Sequence, residues 1–173
     1  MLIFRSCIDN LDRDRIRATI DRELLQNTDP QMKAQAIRFC DRSADLDLHQ
    51  LQTLFNKSAF WAVDRRIEDL KIALDRSEPV VSAWDEDKLI GFARAVSDGI
   101  YRATIFDVVI DCDYQRLGLG RRLVETVLAH PCMQRVERIY LTTTHQQSFY
   151  ERLGFVVNTS TTMVLNQANP SVG

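Results

Sequence analysis

The sequence has few cysteines, and they are badly placed for chemistry. Cys7, Cys40, Cys112 and Cys132 are scattered over 173 residues, with no CxxC pair and no histidine at ligand spacing. That argues against a disulfide framework and a zinc site, so no metal is expected and the thiols read as buried and reduced. Long apolar runs are also missing. None approaches the roughly 18 residues of a membrane-crossing helix, and the opening MLIFRSCIDN is too short in apolar residues for a secretory signal. The expectation is a cytoplasmic protein with no membrane partner. An excess of charge of one sign is the third absence: 22 Lys and Arg against 24 Asp and Glu leave a net charge of −2. A chain that binds nucleic acid through its overall field carries a basic excess, so no nucleic-acid partner is expected.

What is present is the composition of an ordinary globular domain, 45% apolar and 27% charged, with no internal repeat or low-complexity segment. Residues 10–26, NLDRDRIRATIDRELLQ, place Ile16, Ile20 and Leu24 four apart behind Asn10 as an N-cap, and NTDP then breaks the helix. Residues 1–35 are therefore expected to be an extension. Its helix would pack on its own domain or form a homodimer contact. The domain proper is expected over residues 36–168.

Within it, AIRFCD reads as a strand, and Asp45 as the cap of a helix carrying Leu48, Leu51, Leu54 and Phe55. NKSAFW is a loop. Asp64 opens a second helix through Ile67, Leu70 and Leu74, ending near Ser77. PVVSAW and KLIGFARAV form a hairpin about the acidic turn at residues 85–87, and YRATIFDVVI is a third long strand. Leu119, Leu123, Val124, Val127 and Leu128 give the apolar face of a helix that stops before Pro131. RIYLTTT is a strand, HQQSFYERLG a short helix closed by Gly154, and FVVN with TTMVL a final hairpin. The order β-α-α-β-β-β-α-β-α-β-β, after an extra N-terminal helix, calls for an α/β fold: a mixed sheet covered on both faces.

The joint QRLGLGRR, residues 115–122, carries the chemistry. A strand ends at Ile110, a glycine turn follows, and a helix begins near Leu119 or Gly120. The first helical turn has backbone N–H groups without intrahelical partners and the positive end of the macrodipole. Gly118 and Gly120 let the backbone adopt φ > 0 and approach a phosphate closely, while Arg116, Arg121 and Arg122 add charge. The expected ligand is a pyrophosphate, the alternative being a helix start with a turn glycine and no ligand. No Gly-Lys-Ser/Thr follows, so a P-loop is excluded, and the series of strands is too antiparallel for a dinucleotide fingerprint.

VVIDCDYQRLGLGRRLVE closely resembles the acyl-CoA motif of the GNAT family of N-acetyltransferases, and SFYERLGF resembles its second hallmark. The resemblance spans residues 36–165. FDVVID…QRLGLG and GFARAVSDG are most similar to the plastid and cyanobacterial branch, which includes serotonin and other arylalkylamine acetyltransferases as well as protein acetyltransferases. The resemblance implies acetyl-CoA as co-substrate. Val108, Val109 and Ile110 would pair with pantetheine as a pseudo-strand, and the backbone of Arg116, Leu117, Gly118, Leu119, Gly120 and Arg121 would hold the pyrophosphate. The next strand, residues 138–144, would splay away to admit the thioester. Tyr150 takes the position of the general acid that protonates the departing thiolate, and an oxyanion donor would come from backbone near Val108.

The general base is less direct. Many relatives place Glu in the strand after the CoA helix where this chain has Thr142, and THQQSF lacks their cofactor-contacting Asn, leaving Gln146 or Gln147 as substitutes. Asp107, a carboxylate inside an apolar strand, is the candidate base or proton-wire member, with a structural hydrogen-bonding aspartate as the alternative. His145 is a further proton acceptor on an exposed loop, whereas His49 and His130 read as surface residues. Phe55, Phe60 and Trp61 are candidate walls of an acceptor pocket under the first two helices, or plain core. The expectation is acetyl transfer to a small primary amine, an arylalkylamine such as serotonin. The alternatives are a protein acetyltransferase acting on lysine or N-terminal amines, and a catalytically silent acyl-CoA sensor or interaction module.

Overall fold

The computed structural model describes residues 36–42, 44 and 46–165. The expected helix at residues 10–26, Asp45 and Cys7 lie outside them. The chain divides into two compact units, one ending at Leu141 and one beginning at Thr142.

In the first unit, among the described residues, five strands lie in the order β1-β2-β3-β4-β5. They are β1 (Arg38–Cys40), β2 (Val80–Asp85), β3 (Lys88–Ser97), β4 (Arg102–Ile110) and β5 (Arg138–Tyr140). The first four are antiparallel and β5 pairs parallel to β4, so the sheet is mixed as expected. Leu89 to Ala93 of β3 are all buried, the continuous run of a central strand covered on both faces.

Helices α1 (Leu48–Ser58) and α2 (Ile67–Asp75) cover one face. Leu51, Leu54, Phe55, Leu70 and Leu74 pack there with Phe92 of β3 and Val109 of β4. Helix α3 (Leu119–Ala129) joins the second cluster, where Leu119 meets Ile37, Ala83, Ile90 and Tyr114. The cap of α1 is Asp47 rather than Asp45; its carboxylate accepts the N–H groups of His49 at 2.8 Å and Gln50 at 3.4 Å. Asp64 does not open α2 either. It sits at φ 58, and α2 starts at Ile67 behind Arg66.

In the second unit, α4 (Gln147–Glu151) ends in a turn closed by Gly154 at φ 91, as expected. FVVN and TTMVL form no strand. Val156, Val157, Met163, Val164 and Leu165 are exposed by 66% or more, so β-forming composition alone does not make a hairpin. The thiols differ from expectation too: Cys112 is exposed and Cys40 and Cys132 half-buried. No helix among the described residues is long and apolar enough to cross a membrane.

Candidate active site

Strand β4 has one satisfied edge and one open edge. It pairs with β3 as far as Ile110, opposite Gly91. With β5 it pairs only over Arg102, Ala103 and Thr104, which meet Arg138, Ile139 and Tyr140. Beyond Thr104, no strand among the first unit's described residues pairs with β4 on that side, and of the expected strand RIYLTTT only three residues join the sheet. Asp111 donates its N–H to Ile90 of β3 at 2.7 Å, so by alternation the amides of Val108 and Ile110 face the open edge. The Ile110 carbonyl on that side accepts only the side chain of Gln115, at 3.3 Å. The side chains follow the same alternation: Val109 is buried, and Val108 and Ile110 are half-buried.

The open edge is bent by a bulge. Phe92 faces Val109 and Arg94 faces Phe106, so Asp107 and Val108 together oppose the single residue Ala93. Asp107 takes φ 55, a left-handed conformation that aspartate tolerates better than most residues. Its side chain is 6% exposed, and both oxygens are taken: Arg94 Nε lies 2.7 Å from Oδ2 and Arg65 Nη1 3.0 Å from Oδ1. The space among Phe55, Phe92, Arg65, Arg94 and Asp107 is about 10 Å³, room for a single water at most. No acceptor molecule fits beside Asp107 in this arrangement.

An ionic frame centred on the buried Asp111 precedes the glycine turn. Asp111 is 2% exposed and accepts Lys57 Nζ at 2.6 Å, Lys88 Nζ at 3.2 Å and the Asp113 N–H at 3.0 Å. Burial opposes its ionisation, yet Lys57, the Asp113 N–H and Lys88 hold its carboxyl below the usual carboxylate range. Lys57, bonded to Asp111 and also to Asp113 Oδ2 at 2.6 Å, is held protonated above the ordinary lysine value. Tyr114 is buried against the same frame. Its hydroxyl donates to Asp85 Oδ2 at 2.7 Å, and burial together with that carboxylate pushes the phenol up to about 12. A short polar pattern, Asp111 and Asp113 just past an apolar strand, was the available sequence signal for this frame; its lysine partners come from α1 and β3.

From that frame the chain turns through Arg116 at φ 65 and Gly118 at φ 75 into α3. A Cβ at Gly118 would meet no atom within 4 Å, so the glycine serves the backbone angle and leaves open space around it. The first helical bond runs from the Arg122 N–H to the Gly118 carbonyl at 3.2 Å. The amides of Leu119, Gly120 and Arg121 before it have no intrahelical acceptor. Leu119 is buried and Leu117 half-buried, anchoring the turn to the core. The arginine side chains are less available than their charge suggests. Arg121 pairs with Glu125 at 2.7 Å, and the Arg122 guanidinium stacks 4.6 Å from the Phe39 ring centroid. Backbone amides therefore supply donors at this turn that do not depend on those two side chains.

The three aromatic candidates do not come together. Phe55 is 1% exposed and packs edge-on against Phe92 at 5.6 Å, so it is core and lines no acceptor pocket. Phe60 and Trp61 stand out on a short turn (Phe60–Ala62) after α1, 75% and 48% exposed and edge-to-face at 5.1 Å. His49 is exposed. His130 is not a plain surface residue: it is half-buried, its Nδ1 accepts the Cys132 N–H, and it lies 3.0 Å from Cys132 Sγ.

In the second unit, Tyr150 is half-buried between Phe149 at 4.9 Å and Phe155 at 5.8 Å, and burial pushes its phenol up. Its backbone carbonyl accepts the N–H groups of Leu153 and Phe155, locking the turn that follows. Thr142 and His145 are exposed, and Gln147 donates to Glu151 at 2.8 Å.

This chain is similar to known proteins in sequence and in fold. The acetyltransferase (GNAT) family pattern matches residues 47–155. An uncharacterized N-acetyltransferase, ycf52, of Pyropia yezoensis is 35% identical over 128 residues, 68% of this chain and 70% of that one. The chloroplastic serotonin N-acetyltransferase 2 of rice is 33% identical over 75% of this chain and 66% of its own. Histone acetyltransferase TAP1 of soybean is 33% identical over 76% of this chain and 61% of its own. A solved GNAT-family acetyltransferase of Streptococcus pneumoniae, 22% identical, shares the fold with a TM-score of 0.62 over 76% of this chain and 98% of that one.

Proposed function

Because the chain belongs to the acetyltransferase (GNAT) family, we propose that it transfers the acetyl group of acetyl-CoA to a primary amine, with a small arylalkylamine as the acceptor. The observation that carries this reading is the open β4 edge running directly into unpartnered helix-start amides, with Gly118 at φ 75 between them. A pantetheine arm needs an unpaired strand edge and a diphosphate needs convergent N–H donors; the two lie end to end here. Val108 and Ile110 would meet the arm through their backbone, Val109 would support it from the core, and the backbone from Arg116 to Arg121 would hold the diphosphate.

The amine nitrogen bonds to the thioester carbon, the carbon–sulfur bond breaks, the sulfur leaves as thiolate and takes one proton, and the nitrogen loses one. The Val108 N–H supplies a donor for the carbonyl oxygen. Tyr150 is the proton donor to sulfur, and its elevated phenol suits an acid that must stay protonated until the thiolate forms. Asp107, with both oxygens held by arginines, is better suited to a structural part than to accepting the amine proton; that proton would pass to solvent. Phe60 and Trp61 are the remaining aromatic surface for an aryl acceptor.

The experiment is calorimetry with CoA followed by turnover with arylalkylamines, polyamines and lysine peptides. Turnover of an arylalkylamine supports the reading. CoA binding with turnover of lysine peptides alone would replace it with a protein acetyltransferase, and binding with no turnover would favour the sensor. Absence of CoA binding would sink it.

A further inference from the structure

We infer that Arg65 is a positioning residue which ties the α1–α2 connection to the β4 bulge and so sets the direction of the Val108 amide; the inference rests on the cofactor reading above. Asp107 is already neutralised from within the sheet. Arg94 on the adjacent strand β3 bonds Oδ2 at 2.7 Å and is itself held by Ser77 Oγ at 3.0 Å. A second guanidinium on the same carboxylate adds a positive charge that pairing does not require. It comes from another element, 42 positions away, and its backbone is fixed on both sides.

Gln52 of α1 donates to the Arg65 carbonyl at 2.8 Å, and Asp64, at φ 58, donates its N–H to Asn56 Oδ1 at 3.0 Å. The side chain then passes the Phe55 ring, its guanidinium carbon 5.3 Å from the centroid, and ends 3.0 Å from Asp107 Oδ1. It is 33% exposed where Asp107 is 6% exposed.

The peptide that joins Asp107 to Val108 contains the Val108 N–H. Asp107, at a positive φ inside a bulge, breaks the ladder just before that peptide, so the strand holds its plane from the Val109 side and the side-chain clamp holds it from the other. Arg94 alone fixes one carboxylate oxygen, and rotation about it remains open. Arg65 takes the second oxygen, closes that rotation and leaves the Val108 amide aimed along the open edge. The α1–α2 connection that carries the exposed Phe60 and Trp61 thus shares one fastening with the strand that would meet the thioester.

The test uses the full chain with Arg65→Met and Arg65→Lys, reading amide-resolved hydrogen exchange at Val108 and Gly120 with and without acetyl-CoA, together with thermal melting. In the wild type, acetyl-CoA slows both amides. In Arg65→Met the slowing at Gly120 and the CoA affinity are kept, while the slowing at Val108 falls by about tenfold or more; Arg65→Lys, which retains one charged donor, recovers part of it. With a reactive acceptor, kcat falls more than KM rises. Val108 protection equal to wild type in Arg65→Met overturns the inference. So does an equal loss at both amides in step with melting, which leaves Arg65 a purely structural role. If Arg65→Met does not fold, wild-type protection and kcat in Arg65→Lys melting below wild type overturns it equally. Failure of the cofactor reading is recognised separately, because acetyl-CoA then leaves Gly120 unprotected in the wild type.

Discussion

Replacing Gly118 with alanine and with asparagine separates the two things that glycine does. At φ 75 and ψ 0 an L-residue carries a conformational cost of ~1 to 2 kcal/mol. No steric term adds to it, because a Cβ there meets nothing within 4 Å. For a chain of this size that corresponds to a melting temperature lower by about 2 to 8 °C in Gly118→Ala. Asparagine tolerates the left-handed region, so Gly118→Asn should melt closer to wild type. Binding should not follow that order. Any side chain at residue 118 intrudes on the space before the free amides of Leu119, Gly120 and Arg121, and losing one charge-assisted hydrogen bond costs ~1.5 to 3 kcal/mol, about 10- to 150-fold in Kd. Scanning calorimetry gives the first quantity and titration calorimetry with CoA the second. If both variants bind CoA as tightly as the wild type, whatever their melting, the glycine only turns the chain and the diphosphate site is elsewhere.

Asp111→Asn leaves Lys57 and Lys88 without their shared buried carboxylate, and urea unfolding at neutral pH should show a loss of ~2 to 4 kcal/mol, toward the lower end because both lysines reach solvent. Since the folded carboxyl lies below its ordinary value, its contribution is full above the unfolded value of about 3.9 and is lost as pH falls through the folded one; the gap between wild type and variant should therefore close in acid, and a gap that widens there contradicts the ion-pair account. Gly91→Ala would put a Cβ 2.7 Å from Ile110 Cδ1 and 3.0 Å from Ala83 Cβ, costing ~1 to 3 kcal/mol. Adding Ile110→Val removes the first of these contacts, so the double variant should be more stable than Gly91→Ala alone in the same unfolding assay. Tyr150→Phe should keep CoA affinity and lower kcat by roughly 10²- to 10⁴-fold. Burial keeps the phenol protonated past its ordinary value of about 10, so a wild-type pH–kcat profile should show that proton's loss only on the alkaline side; an unchanged kcat in the variant removes Tyr150 from the mechanism.

The sequence was legible wherever a local pattern carries the information. Leu119, Leu123, Val124 and Val127 mark α3 by spacing alone; of the glycine pair, only Gly118 takes the positive φ expected of both, and Gly120 lies in the first turn of α3. Patterns of hydrogen bonding were harder. Asp45 reads as the cap of α1, but Asp47 takes that place, its carboxylate accepting the N–H groups of His49 and Gln50. Phe55 shares the apolar stripe of Leu51 and Leu48, and of the two readings open for it, pocket wall or plain core, that periodicity already favoured the core. Asp107 was conspicuous as a carboxylate in an apolar strand. Its partners Arg65 and Arg94 were not, because they come from other elements and nothing local distinguishes them from the remaining arginines. FVVN and TTMVL show the opposite error, local β preference that forms no strand.

An unclaimed row of strand amides is a hazard as well as a docking place. A second molecule could lay its own strand along β4 past Thr104, the route by which exposed edges seed aggregation. The bulge at Asp107 twists the row out of the flat geometry that such self-assembly needs, and the carboxylate with its two guanidiniums puts polar groups beside it. Purified protein stored without nucleotide should therefore stay clear while that clamp is intact and turn cloudy sooner once it is cut.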